Sequence, residues 1–467
     1  MYNGFRFTGE NEIEQITDTS FRILEQIGVQ VAYPPLVEKM IQKEPHRLEQ
    51  KNGRICVARS LAKENFFLPQ TNEKMNKPRV EACAEIYEGK YLDPKDGIYK
   101  NWNEQRLIDY IKLSKELPHV GQASMLGCPI PEYDLNKQPL YEKYYTAKYG
   151  LSGKMGGYSV WNTSLCEPLY EMWSVLSKEY EKPIEEIFNG GVYMISPLQL
   201  GYTEGEHLIW FWERGLKMFV GCLCSTGMTA PVTPAGAIAM QLAELIFASI
   251  LTEILYGEPS RHIWSSLSVA DMRTMSFRYG RPEQVLMNNA MSDIADYYGM
   301  KYWGHGGLSD AKAPSFEAGV QKTAAALSHL MKGKNAYICA GLLSVDEVFS
   351  PTQMVLDNEL TGYLKRIGTG FEVTEETLGL EALEECIEEA VPMLGTEHTV
   401  ENMGQIWQPE LFSRDMLSGW LKEDGSKDEQ RARERALEII EVTPEPESCI
   451  SEACENALLQ IIEHVEI

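Results

Sequence analysis

His305 stands in a stretch whose residue types could do chemistry. Trp303 lies two residues before it, the pair Gly306-Gly307 directly after, and Ser309, Asp310 and Lys312 complete the run KYWGHGGLSDAKA. An imidazole there could orient a carboxylate, shuttle a proton or cap a strand end. The two glycines let the backbone turn sharply and let a ligand come close. Asp310 and Lys312 are expected to pair with each other in the loop.

The same design recurs along the chain: an apolar strand, then glycine, then aromatic and polar residues. The strand ends present Tyr158 with Trp161 and Asn162, Tyr193 with Gln199, Cys222 with Cys224, Trp264, Trp303 with His305, and Gly341. Converging Trp and Tyr faces suit an alkylated ammonium, held by cation–π attraction of about 0.5–2 kcal/mol per face. Space-filling in the core is the competing explanation for each ring. Cys222 and Cys224 are spaced to share one strand face, so both thiols could reach one ion. Zinc would need further ligands, for which Cys128 and His305 are candidates, and buried thiols are the simpler account. In GMTAPVTPAGAIAMQLAEL, from Gly227, two prolines fix a loop and Thr229 or Thr233 can cap the helix that follows, whose N-terminus could receive an anion.

Such residues need a scaffold that brings strand ends together. Eight candidate strands begin near Val80, Val120, Gly153, Ile187, Lys217, His262, Lys301 and Asn335. Helical spacing fills most gaps between them, at 103–117, 167–180, 205–214, 235–256, 283–298 and 316–331. This alternation predicts a (β/α)8 TIM barrel of the α/β class over 76–352, with a helical N-terminal extension over 1–75 and a helical C-terminal region over 353–467 that packs on the barrel or at a subunit interface. A doubly wound open sheet is the rival, weakened because no GxGxxG or GxxxxGK motif opens a helix. Two acidic segments, ETLGLEALEECIEEAVPML and DEQRARERALEIIE, read as amphipathic helices with solvated faces.

The 467 residues carry a formal charge of −25, which argues against nucleic-acid or anionic-membrane binding. The ten cysteines are scattered without a CxxC pair, so free thiols in a reducing cytoplasm are expected. The opening MYNGFRFTGENE lacks the basic and apolar regions of a signal peptide. The run from Ala235 to Tyr256 is the most apolar, but Gln241, Glu244 and Glu253 interrupt it, so no membrane span is expected.

Three stretches, APVTPAGAIAMQLAEL from Ala230, GGLSDAKAPSFEAG from Gly306 and AGLLSVDEVFSPTQMVLDNEL from Ala340, resemble the MttB-type trimethylamine methyltransferase superfamily. TEHTVENMGQIWQPELFSRDMLSGW, from Thr396, is a weaker match. The resemblance implies a barrel enzyme that moves a methyl group from an amine to the Co(I) corrinoid (cobalamin) of a separate corrinoid protein. It also implies a homo-oligomer, with a trimer as one form. Trimethylamine-using members carry pyrrolysine, whereas this chain has only ordinary residues. It therefore resembles the non-pyrrolysine branch, which demethylates quaternary amines of the betaine or carnitine kind.

On that basis Tyr158, Trp161, Tyr193, Trp264 and Trp303 are expected to form a cage. His305, with Asn162 or Gln199, would hold the distal group of the substrate. No catalytic residue, metal or tightly bound cofactor of the chain's own is assigned. Two alternatives stay open: a metal-dependent barrel hydrolase or lyase using Cys222, Cys224 and His305, and a non-catalytic quaternary-amine sensor.

Overall fold

The computed structural model describes residues 6–67, 78–87, 89–125, 130, 133–151, 162–260, 262–265, 267–304, 306–423, 425 and 427–466. It is a mixed α/β protein with several small, mostly parallel sheets. Seven of the eight expected strands lie in the described residues: β1 Val80–Ile86, β2 Val120–Met125, β3 Gly191–Met194, β4 Phe219–Cys222, β5 His262–Ser265, β6 Lys301–Gly304 and β7 Ala336–Ala340. The segment expected to supply the eighth, GKMGGYSV, lies outside them. β1 pairs in parallel with both β7 and β2, β3 with β4, and β5 with β6. β4 also contacts β5. These pairings form separate sheets, and no closed barrel is traced among the described residues.

The N-terminal part holds α1 Glu10–Gln26, and helices then follow where the spacing predicts them, each within a few residues: α2 Glu104–Glu116, α3 Cys166–Glu179, α4 Tyr202–Trp212, α5 Pro234–Tyr256, α6 Pro282–Tyr297 and α7 Phe316–Met331; the C-terminal part adds α8 Pro351–Thr369, α9 Asp428–Val442, which is the second acidic segment, and α10 Glu452–His464. The N-terminal part is not purely helical. The antiparallel strands Leu48–Lys51 and Arg54–Val57 make a hairpin there, turned by Asn52 and Gly53 in the left-handed region. The first acidic C-terminal segment is not one helix. Gly379, with φ +64, divides it into Glu375–Leu378 and Leu380–Glu388.

The strands put different chemistry on their two faces, because successive side chains alternate. Val80, Ala336 and Ile338 pack against Ala326 and Leu330 of α7 and Leu364 of α8. Glu81, Cys83, Glu85, Tyr337 and Cys339 therefore take the opposite face, away from those helices. The register sets Cys83 opposite Cys339 and Glu85 opposite Ser124.

Helix α5 is apolar all round because it is enclosed. It is the one helix among the described residues long and apolar enough to cross a membrane, and 89% of its most apolar window is buried in the protein. It packs on α1 and β4. Thr233 stands at its N-cap but makes no side-chain cap bond, while the Thr229 hydroxyl accepts from the Ser225 N–H.

A buried ion pair fixes the C-terminal end of β7. Lys322 of α7 and Asp357 of α8 meet at 2.7 Å, both almost fully buried. The Lys322 ammonium also donates to the Cys339 carbonyl at 2.7 Å, and Asp357 accepts from the Gly341 N–H and from Gln353, each at 2.8 Å. Replacing Lys322 with Ala strands the Asp357 charge in the core. The expected loss of unfolding free energy is about 3–5 kcal/mol, read by chemical denaturation.

Candidate functional site

The polar loop after β6 is tied down by buried hydrogen bonds. Ser309 is fully buried, and its hydroxyl and the Asp310 N–H both donate to Gln321 Oε1 at 2.8 Å. Asp310 accepts from the Tyr279 N–H at 2.9 Å. The expected Asp310–Lys312 ion pair is not formed, because the Lys312 ammonium turns back to the Asp310 backbone carbonyl. The glycine pair serves backbone packing. Gly307 has φ +73, and a Cβ there would lie 2.5 Å from the Ile338 Cα of β7. His305 lies outside the described residues.

Of the remaining candidates, the structure describes the side chains of Asn162, Tyr193, Gln199 and Trp303. Tyr158 and Trp161 lie outside the described residues, as does the side chain of Trp264, whose backbone is in register with Trp303. Trp303 is partly buried against Tyr337, with ring centroids 4.2 Å apart. Tyr337 is in register with Glu81 near the start of β1, so Trp303 lies closer to that end than to Glu85. Asn162 acts locally, its side-chain carbonyl oxygen accepting from the Ser164 N–H at 2.9 Å and starting a short 3-10 helix. Gln199 sits in a two-residue strand beside Gln30 and Val31 of the N-terminal part.

Cys222 and Cys224 are both buried in the main core, and burial pushes both thiols far up, with the nearby Glu244 adding to the effect. The Cys222 sulfur lies 3.9 Å from the Gln241 carbonyl of α5. Its face is therefore the helix side, not the interior side. Among the described residues no three His, Cys, Asp or Glu side chains converge as metal ligands. The metal-dependent alternative is left without a site in the described residues.

Tyr193, one of the expected cage residues, is partly exposed amid dense surroundings. Its side chain is 43% exposed, yet burial raises its hydroxyl to about 12, followed by the negative charge of Glu85 and then Tyr279. Phe219 meets the Tyr193 ring edge-on at 5.5 Å. Gly221 and Gly191, opposite Tyr193 and Phe219 on the paired strands, leave the room that these rings occupy.

Glu85 is a functional candidate that strand-end reasoning misses. It is 2% exposed and accepts from the Tyr87 hydroxyl at 2.6 Å. Burial raises its carboxyl above the ordinary range, and the Tyr87 bond only partly offsets this. No basic side chain among the described residues forms an ion pair with it. Tyr87 and Tyr279 pack on Cys339, Leu308 and Leu342 around it. The signal is present in VEACAEIYE, where two acids stand on one face of an otherwise apolar strand.

A second buried acid shapes the loop that follows Tyr193. Glu244 of α5 accepts from the Ser196 hydroxyl at 2.8 Å and the Leu198 N–H at 2.7 Å. Burial nevertheless raises its carboxyl to about 7.

Parallel strands backed by helices, with buried acids and aromatic rings between them, define an α/β protein. The chain belongs to the trimethylamine methyltransferase (MTTB) family, whose model matches residues 90–465. It is 29% identical over 294 residues to trimethylamine methyltransferase MttB of Desulfitobacterium hafniense strain DSM 10664 / DCB-2, covering 61% of this chain and 56% of that protein. It is 28% identical over 276 residues to trimethylamine methyltransferase MttB of Methanosarcina thermophila, covering 57% and 56%. These matches span only about half the length of those relatives. A glycine betaine methyltransferase of Desulfitobacterium hafniense strain Y51 matches nearly end to end, at 24% identity over 458 residues, covering 92% of this chain and 91% of the other.

Glu244 gives a pH test. Its folded-state value of about 7 lies above the ordinary 4.5, so the native state holds the proton more tightly than the unfolded chain. This contribution is fully present below pH 4.5 and is lost as pH rises through 7. Glu244→Gln keeps an acceptor for Leu198 and removes the titration. Its melting temperature, followed by thermal denaturation, is expected to change less between about pH 5 and about pH 8 than that of the unmodified protein.

Proposed function

We propose that this chain demethylates a quaternary amine of the betaine or carnitine kind and passes the methyl group to the Co(I) corrinoid of a separate protein. The observation that carries this reading is the nearly end-to-end match to a glycine betaine methyltransferase, where the trimethylamine-specific relatives match only in part. The sequence holds no residue outside the standard set, in line with the branch that does without pyrrolysine.

Elementary chemistry supports the choice of substrate. Removing a methyl from an unactivated tertiary amine would leave an amide anion. A quaternary ammonium leaves as a neutral tertiary amine: the C–N bond breaks, its electron pair stays on nitrogen, and no proton is needed. The protein then has to desolvate the cation, hold it still and leave one methyl facing the acceptor. Too strong a grip on the cation would slow the reaction, because positive charge leaves the substrate as the methyl departs.

The interior suits an acceptor that comes from outside the chain. Burial holds the Cys83 and Cys339 thiols well above their ordinary range, so neither supplies a thiolate to take the methyl. A corrinoid bound by its own protein would supply a Co(I) nucleophile. In this reading the separate sheets belong to one (β/α)8 barrel, supported by the parallel neighbours β7-β1-β2, β3-β4 and β5-β6, with the substrate near the C-terminal ends of the strands. Tyr193 is assigned to the ammonium head, with Trp264 and Trp303 kept as further cage candidates. Exposed Phe371, Ile387, Leu394 and Met416 support a homo-oligomer joined through the C-terminal region. The activity is assigned to the cytoplasm.

The test is methylation of cob(I)alamin, or of a cognate corrinoid protein, followed by visible absorbance with a panel of quaternary and tertiary amines. Methyl transfer is expected from at least one quaternary amine and not from trimethylamine. Transfer from trimethylamine alone, or from no amine, contradicts the proposal. Tyr193→Ala is expected to lower kcat/KM for the active amine about 5–30-fold, from the loss of one desolvated cation–π face worth roughly 1–2 kcal/mol.

A further inference from the structure

Glu85 is a buried acid for which the methyl-transfer chemistry above has no use. It lies on the interior face of β1, near the strand's C-terminal end, and among the described residues only the Tyr87 hydroxyl donates to it. Its charge is felt by Tyr193, whose ring is partly exposed. It is felt as well by Cys83, Cys339 and Tyr87, which bring no positive charge. Lys322, a buried ammonium in this region, is committed to Asp357 and to the Cys339 carbonyl. Among the described residues, this carboxylate has no positive charge beside it.

We propose that Glu85, oriented by Tyr87, is the counter-ion of the substrate's ammonium head and the group that makes this pocket select cations over neutral molecules of the same shape. This rests on the quaternary-amine reading. Isolated burial disfavours the Glu85 carboxylate, so the apo pocket bears a cost that an incoming permanent cation relieves. A quaternary ammonium has no N–H to donate, so it pairs with a carboxylate through charge alone, while Tyr193 offers a ring face. Tyr87 occupies one oxygen of Glu85 and fixes the direction of the other. Once the methyl is gone, the product amine is neutral and the attraction to Glu85 is removed, which favours product release.

Glu85 touches the leaving charge and not the transferred carbon. Its removal should therefore weaken ground-state binding more than the chemical step. Glu85→Gln keeps shape and the Tyr87 bond while removing the charge. The probes are tetramethylammonium, and the pair glycine betaine and 3,3-dimethylbutanoate, which differ by N⁺ against C. Binding is measured by calorimetry, and methyl transfer to cob(I)alamin is followed in parallel. The unmodified protein is expected to prefer glycine betaine over its carbon isostere and to bind tetramethylammonium. Glu85→Gln is expected to weaken tetramethylammonium at least about 10-fold, to abolish the preference for the cation, and to raise KM for the active amine while changing kcat less than about 3-fold.

If the unmodified protein binds and demethylates a quaternary amine but Glu85→Gln keeps both affinity and preference, the counter-ion assignment is wrong and the activity stands. If Glu85→Gln weakens the cation and its carbon isostere equally, Glu85 is only structural. A second variant, Glu85→Asp, guards against misfolding: it retains the charge and is expected to keep part of the cation preference. If the unmodified protein neither binds nor demethylates any quaternary amine, the assignment falls together with the reading it rests on.

Discussion

A carboxyl group enclosed by phenols and thiols, with no cation beside it among the described residues, is the condition on which the interior of this protein turns. Water would stabilise the Glu85 charge far better than the Tyr87 hydroxyl can alone. The cost is tolerable only because the strands on either side are fixed by packing. Val80, Ala336 and Ile338 bury their side chains under α7 and α8, and alternation then forces Glu81, Cys83 and Glu85 to the other face. The acid is therefore not free to swing to solvent. Under the counter-ion proposal, a positive ligand group would complete this interior electrostatically.

The surrounding polar contacts serve to hold this geometry. Lys322 and Asp357 pin the end of β7 at Cys339 and Gly341. Glu244 holds the loop at Ser196 and Leu198, directly after the strand that carries Tyr193. Ser309 and Asp310 tie the loop after β6 to Gln321 of α7. Each of these groups is buried and bonded, so each fixes a strand end without offering a ligand to the interior. Loops at strand ends are where a barrel-like protein places its binding residues, and here buried hydrogen bonds restrict how far they can move.

Much of the scaffold is legible in the sequence because it depends on period. Apolar spacing locates α7 at Phe316–Met331, and α2 to α6 likewise within a few residues. Seven strands are equally visible, since each is a short apolar run bounded by turns. The site is less legible, because a strand end does not announce what its side chain meets. Asn162 and the Ser309–Lys312 loop look like site chemistry and are engaged in caps and turns, which use the same residue types. The Cys222–Cys224 spacing suits a shared face, but the Cys222 side of it lies against α5. Glu85 escapes notice because acids in an apolar strand read as exposed edge residues until the partner strands are known. The division of the acidic segment at Gly379 is hidden because amphipathic spacing continues across the break.

The central claim is that the interior beside Tyr193 is a site for a quaternary ammonium. The most direct measurement is a crystal structure of the protein with tetramethylammonium. The account expects the cation inside the molecule, within ~6 Å of the Tyr193 ring centroid and on the Glu85 side of it. Density for the cation only at the acidic outer surface, with the interior beside Tyr193 left to water, would contradict it.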